Sequence, residues 1–154
     1  MFFALHELFT TKIILFVGSF TSCGYLSCAT STIRRGYAAF NAADINALNE
    51  IFHDDCSWYT PGKSSIGGYR KGKGNVFTQF GRYGGETNGT FKAELKTVAV
   101  CDDGRIVGIH RNSGERNGKK LEVDCRIVFE VKDGQIFSGQ EFFFDVDAWD
   151  TFWS

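Results

Sequence analysis

A chain of 154 residues, with 17 Lys and Arg against 18 Asp and Glu and a formal net charge of −1, has the length of one domain with its own core. Its basic residues are scattered rather than drawn into a stripe, which excludes nucleic acid or an anionic membrane surface as the main partner. The 16 Phe, 5 Tyr and 3 Trp suit a well-filled core, and equally the walls of a pocket for an apolar organic ligand.

Residues 13–31 carry no charge and hold the run Ile13-Ile14-Leu15-Phe16-Val17 behind Lys12. A signal-like or anchor-like leader fits that run. Glu7 in the segment ahead of it speaks against this, as does Phe20 where a lipoprotein site at Cys23 takes an aliphatic residue. Residues 1–29 are therefore set apart as a leader (disordered, signal-like or anchor-like) and 30–154 as the domain. The expected location is cytoplasmic, or exported or membrane-anchored if the leader acts as one. The five cysteines (Cys23, Cys28, Cys56, Cys101, Cys125) lack zinc-ligand spacing and read as free thiols of a reducing compartment.

Ile33, Tyr37 and Phe40 recur at helical spacing, with Arg34 and Arg35 off that line, so a first helix passes here. Asp44 stands as N-cap before a second helix whose one face is Ala47, Leu48, Ile51 and Phe52, and His53-Asp54-Asp55 ends it. Cys56 to Thr60 is a short strand stopped by Pro61-Gly62. The stretch Gly62 to Gly74, with Arg70, Lys71 and Lys73, reads as a mobile, solvated loop. It is no phosphate loop, since Ser57 stands where the motif needs glycine. Val76, Phe77, Phe80 and Tyr83 form the apolar side of a third helix. Turn signals at Asp102-Asp103-Gly104, Asn117-Gly118 and Asp133-Gly134 then divide four strands: Phe91–Val100, Arg105–Arg116, Lys119–Lys132 and Gln135–Asp145. The third alternates, Leu121, Val123, Cys125, Ile127, Phe129 and Val131 against Glu122, Asp124, Arg126 and Glu130. Trp149, Phe152 and Trp153 make a terminal helical turn that seals an edge.

This order of elements, with FNAADINALNEIFHDDCSWYTPG, the hairpin ERNGKKLEV and the ending DAWDTFWS, resembles the SnoaL-like branch of the NTF2-like superfamily over about Thr30 to Ser154. The superfamily includes ketosteroid isomerases, polyketide cyclases, scytalone dehydratase, epoxide hydrolases and members without catalysis. The resemblance implies an α+β fold, an NTF2-like cone in which a curved, mostly antiparallel sheet wraps on three N-terminal helices around a central pocket. It also implies a homodimer packed through the charged outer sheet face. Of the isomerase residues, the tyrosine falls on Gly36, the aspartate base on Thr60 and the protonated aspartic acid on Ile127. With all three groups missing, authentic ketosteroid isomerisation is not expected.

Strand parity carried over from the family turns His110 and Asn112 inward, with Glu141 from the last strand and Trp58 and Thr60 from the first. Cys125, Ile127, Phe143, Phe77 and Phe80 are the apolar neighbours. A carboxylate among phenylalanines has a raised pKa, so Glu141 and His110 stand as acid/base partners, with Asn112 or Thr60 orienting a carbonyl or hydroxyl. The plainer alternatives are a structural His110 and a Glu141 bonded to a backbone amide or to Arg111. Asp124 and Arg126 read as an ion pair or dimer contact. Neither a metal nor an organic cofactor is expected. Two functions remain open: a cofactor-independent isomerase-, cyclase- or dehydratase-type enzyme on an apolar carbonyl or hydroxyl compound, or a non-catalytic ligand-binding or dimerisation module.

Overall fold

The computed structural model describes residues 20–154. Helix α1 (Phe20–Ala42) begins inside the stretch set apart as a leader, and its Ala29 is buried; the run Ile13–Val17 lies outside the described residues. As the spacing predicts, Ile33 and Tyr37 face inward with Phe40 half-buried behind them, while Arg34 and Arg35 are exposed. The chain turns at Ala43, and the Asp44 carboxylate accepts the Ala47 N–H at 3.0 Å to cap α2 (Ile45–Ile51).

Helix α2 ends at Ile51, not at His53-Asp54-Asp55. Phe52 is already extended, opposite Ile136 in a parallel pairing, and begins β1 (Phe52–Thr60) four residues ahead of the expected start. Its ring packs edge-on to Phe77 and Phe80, at 5.6 and 5.7 Å between centroids. The pairing with Ile136 and the burial of this ring against Phe77 and Phe80 hold Phe52 in the sheet. The segment after Pro61 is also more ordered than a loop. Gly68–Lys71 forms β2, antiparallel to β1 from Ser57↔Lys71 to Thr60↔Gly68, and α3 (Lys73–Glu86) starts immediately behind it.

The remaining strands are β3 (Lys92–Val100), β4 (Ile106–Arg116), β5 (Lys119–Lys132) and β6 (Gln135–Phe143). The β4–β5 and β5–β6 turns put Asn117 and Gly118, and Asp133 and Gly134, at positive φ, the tight-hairpin geometry those pairs favour. The sheet runs β2-β1-β6-β5-β4-β3 with only β1–β6 parallel, and register shifts in three of the pairings curve it. Helices α1, α2 and α3 cover its concave face; α3 follows β2 and so is not N-terminal. The ending is a full helix, α4 (Val146–Trp153), capped by Asp145. Trp149 stacks on Phe143 at 4.1 Å, and Trp153 packs on Tyr83 and Phe91, closing one end of the sheet.

The outer sheet face carries charge, with Arg111 paired to Glu122 at 3.0 Å and to Asp124 at 3.5 Å. It also exposes aromatic surface: Tyr59, Tyr69, Phe142 and Phe144. Arg126 lies over the Phe144 ring at 4.1 Å rather than pairing with Asp124. Among the described residues, no helix is long and apolar enough to cross a membrane, and Cys28, Cys56, Cys101 and Cys125 are free.

Candidate functional site

Between the helices and the concave sheet face lies a narrow cavity of about 50 Å³, room for a handful of waters. Its walls are aromatic: Phe40 from α1, Phe52 and Trp58 from β1, Phe80 and Tyr83 from α3, Phe91 ahead of β3, and Phe129 from β5. Four polar side chains reach it from the sheet and α1: Tyr37, His110, Asn112 and Glu141. The last three are buried to within 5% exposure, as alternation along β4 and β6 requires.

Glu141 is the acid of the cavity. Burial pushes its carboxyl up from 4.5 to about 7, against the Thr60 hydroxyl and Trp58 indole, which favour the ionised form. Neither group settles into hydrogen-bonding geometry, so Glu141 Oε2 and Trp58 Nε1 are both buried without a partner. The Thr60 hydroxyl is engaged elsewhere. It accepts from Gln79 Nε2 at 2.7 Å, and the same Gln79 nitrogen lies 2.9 Å from the Tyr83 hydroxyl. Arg111, the alternative partner for Glu141, points to the opposite face, where it pairs with Glu122 and Asp124.

His110 sits elsewhere in the cavity. Gly108, Ile127 and Glu141 are opposite one another across β4, β5 and β6, so His110 is one inward position further along and two strands away. Its partner is Tyr37, whose hydroxyl lies 2.8 Å from His110 Nδ1. Burial drives the imidazole down to about 4, with Asn112 and then Asp124 pulling back, so it is neutral at physiological pH. Burial likewise raises Tyr37 far above the usual phenol value. The Asn112 Nδ2 group is buried and unpartnered.

Two glycines shape this arrangement. A Cβ on Gly108 would come within 2.8 Å of the Tyr37 hydroxyl, and a Cβ on Gly139 would run into the Trp58 ring. Gly36, where an isomerase tyrosine would fall, lets α1 close on the sheet, since even a Cβ there would stand 3.3 Å from Ile136. Tyr37, the next residue, is the one that enters.

Of the ten residues singled out from sequence, Glu141, His110, Asn112, Trp58, Phe80 and Ile127 line the cavity. Thr60, Phe77, Cys125 and Phe143 stand outside its lining: Thr60 bonds Gln79, Phe77 packs on Phe52, and Phe143 stacks on Trp149. Sequence reasoning missed Tyr37 as a cavity group, although its spacing from Ile33 already placed it on the inner face of α1. Gln79 was missed as well: it is a buried polar residue on an otherwise aromatic helix face. Among the described residues, no group of three or more His, Cys, Asp or Glu could hold a metal ion.

Comparison with known proteins agrees with this geometry. The sequence model of the SnoaL-like domain family matches residues 33–139. The uncharacterised protein Rv0034 of Mycobacterium tuberculosis is 31% identical over 122 residues, 79% of this chain and 93% of that protein. Bal32a, from a soil-derived mobile gene cassette, superposes with a TM-score of 0.82 at 55% identity, covering 84% of this chain and 98% of its own. A protein of unknown function with a cystatin-like fold from Xanthomonas campestris shares the fold, with a TM-score of 0.76 at 24% identity over 82% of this chain and 98% of its own. The chain belongs to the SnoaL-like domain family.

Proposed function

We propose that the protein binds a small organic molecule in this cavity and moves a proton on it without a cofactor, with Glu141 as the acid/base group. One observation carries the reading: a carboxyl oxygen buried without a partner among aromatic rings, on a group poised at about 7. Near neutrality such a group takes a proton from carbon beside a carbonyl in one half of its population and gives one in the other. Isomerisation, cyclisation and dehydration are all built from that step. Tyr37, held by neutral His110, stands across Ile127 from Glu141 and is the polar group that would meet the substrate's far side. His110 is thus a positioning residue rather than Glu141's direct partner.

The test needs no knowledge of the natural substrate. A panel of small ketones is incubated with the protein in deuterium oxide, and loss of the signal beside the carbonyl is followed by NMR. Exchange accelerated by the wild type and abolished in Glu141→Gln supports the reading; equal exchange in both proteins removes Glu141 from it. The absence of the isomerase groups at Gly36, Thr60 and Ile127 favours a second reading, a non-catalytic binding module. That reading predicts saturable ketone binding with no exchange.

A homodimer through the outer sheet face belongs to the same proposal. Its support is the exposed aromatic surface of Tyr59, Tyr69, Phe142 and Phe144, set beside charged residues of both signs. Phe142→Glu should yield a monomer by sedimentation; a monomeric wild type contradicts it.

A further inference from the structure

The closed cavity leaves little room for an organic molecule. Its volume of about 50 Å³ takes a few water-sized groups, fewer than a ring ketone has atoms. We propose that α3 is a movable wall of the cavity, unwinding locally between its tethered ends to admit a molecule beside Glu141. The need for entry rests on the proposed function; the weakness of α3 stands on the helix itself.

The backbone of α3 favours helix poorly. Gly74, Gly81, Gly84 and Gly85 lie within its 14 residues, and a Cβ on any of them would meet nothing within 4 Å. At the sheet a glycine makes room for a neighbour, as Gly108 does for Tyr37 and Gly139 for Trp58. Those of α3 make room for nothing. What they contribute is backbone freedom, since each disfavours the helix relative to alanine. The ends add little. Gly72 has no side chain with which to cap the helix, Lys73 stands at the positive N-terminal pole and Glu86 at the negative C-terminal one.

The facing walls are fixed. Strands β4 and β5 pair without interruption from Ile106↔Phe129 to Arg116↔Lys119. Helix α1 is fastened to β3 by Asn41, whose amide donates to the Ala93 carbonyl and whose oxygen accepts the Ala93 N–H, each at 2.9 Å. The inner face of α3 is held by the Gln79 bond to Thr60 at 2.7 Å and by its rings, with Phe80 edge-on to Trp58 at 5.1 Å and to Phe52 at 5.7 Å. An apolar molecule entering here exchanges ring–ring contact for ring–ligand contact, which offsets much of the cost of opening.

The way α3 is tied sets how it opens. Lys73 Nζ donates to the Asn49 carbonyl at 2.9 Å and pairs with Asp54, and at the other end Glu86 pairs with Arg82 and Arg116. With both ends tied, the helix yields by unwinding between them rather than by swinging out as a rod. Glycine at Gly81 and Gly84 lowers the cost of that local opening.

Native-state hydrogen exchange of the full chain, followed by NMR at rising sub-denaturing urea, reads the opening without a ligand. After correction for intrinsic rates, amides of residues 77–85 should exchange faster than those of β5 and with a weaker dependence on urea. The double variant Gly81→Ala/Gly84→Ala should slow α3 exchange roughly five- to thirtyfold. The association rate of cyclohexanone, read from NMR line shapes, should fall by the same factor, because only the open fraction admits it. Exchange of α3 together with β5, at the same urea dependence, would overturn the proposal. So would an unchanged cyclohexanone association rate in a variant whose α3 exchange has slowed. Local opening of α3 with no binding of any small ketone would support the movable wall and count against the proposed function.

Discussion

Replacing Glu141 with Gln should stabilise the protein at alkaline pH and leave it nearly unchanged in acid. The carboxyl binds its proton more tightly folded, at about 7, than unfolded, at about 4.5. Below the unfolded value both states are protonated and the group costs nothing. As the pH rises from there to the folded value, the unfolded chain ionises first and stability is lost. At about 1.4 kcal/mol per pH unit the loss comes to about 3 kcal/mol once the pH is well above about 7. Glutamine has a similar shape and cannot ionise, so the variant escapes this loss. His110, whose pKa is depressed, acts in the opposite sense and costs stability as the pH falls towards about 4. It is common to both proteins and cancels in the difference. The assay is urea unfolding of both proteins at about pH 4 and about pH 8, at constant ionic strength and with unchanged m-values. An excess stability of the variant that grows to about 3 kcal/mol at the higher pH is the expected result. A difference that is the same at both pH values would mean that Glu141 titrates alike in the folded and unfolded chain.

Gly139→Ala should force the Trp58 ring off β6 and into the cavity, costing about 1–3 kcal/mol of stability and weakening ligand binding; unchanged ketone affinity would contradict the packing described for Trp58. Gly81, an exposed residue inside α3, has open space where its Cβ would go. Gly81→Ala should therefore raise stability by about 0.5–1 kcal/mol in thermal or urea unfolding. A loss of stability would mean that α3 needs the glycine for a contact the structure lacks. Trp149→Ala should cost about 3–5 kcal/mol, since the ring is fully buried against Phe143, Tyr83 and Phe91; a cost below about 1 kcal/mol in the same assay would show that α4 is dispensable to the core.

What could be read in advance was local. The alternation from Leu121 to Val131 and the Asn-Gly and Asp-Gly pairs bound β5 at Lys119 and Lys132, because strand period and turn chemistry are written in neighbouring residues. Asp44 as a helix cap is legible for the same reason. Helical spacing admits Phe52 to α2; its extended backbone comes from pairing with Ile136, 84 positions along the chain. Strand β2 has no signal of its own and exists through its register with β1. In the cavity, inward parity put Glu141, His110 and Asn112 on the correct face. It could not say which side chains would meet. Tyr37 and His110 are joined across 73 positions, and the distance between His110 and Glu141 is set by β5 lying between their strands. The unpartnered oxygen of Glu141 is a property of its neighbours, and no single stretch of sequence contains it.

The proposed chemistry needs Glu141 to be a buried carboxyl that exchanges its proton near neutral pH. Carbon NMR of glutamate-labelled protein, assigned by comparison with Glu141→Gln, reads that directly. One side-chain carboxyl should titrate at about 7, be missing from the variant and be moved by a bound ketone. A Glu141 midpoint in the ordinary glutamate range, about 4.3, would contradict it.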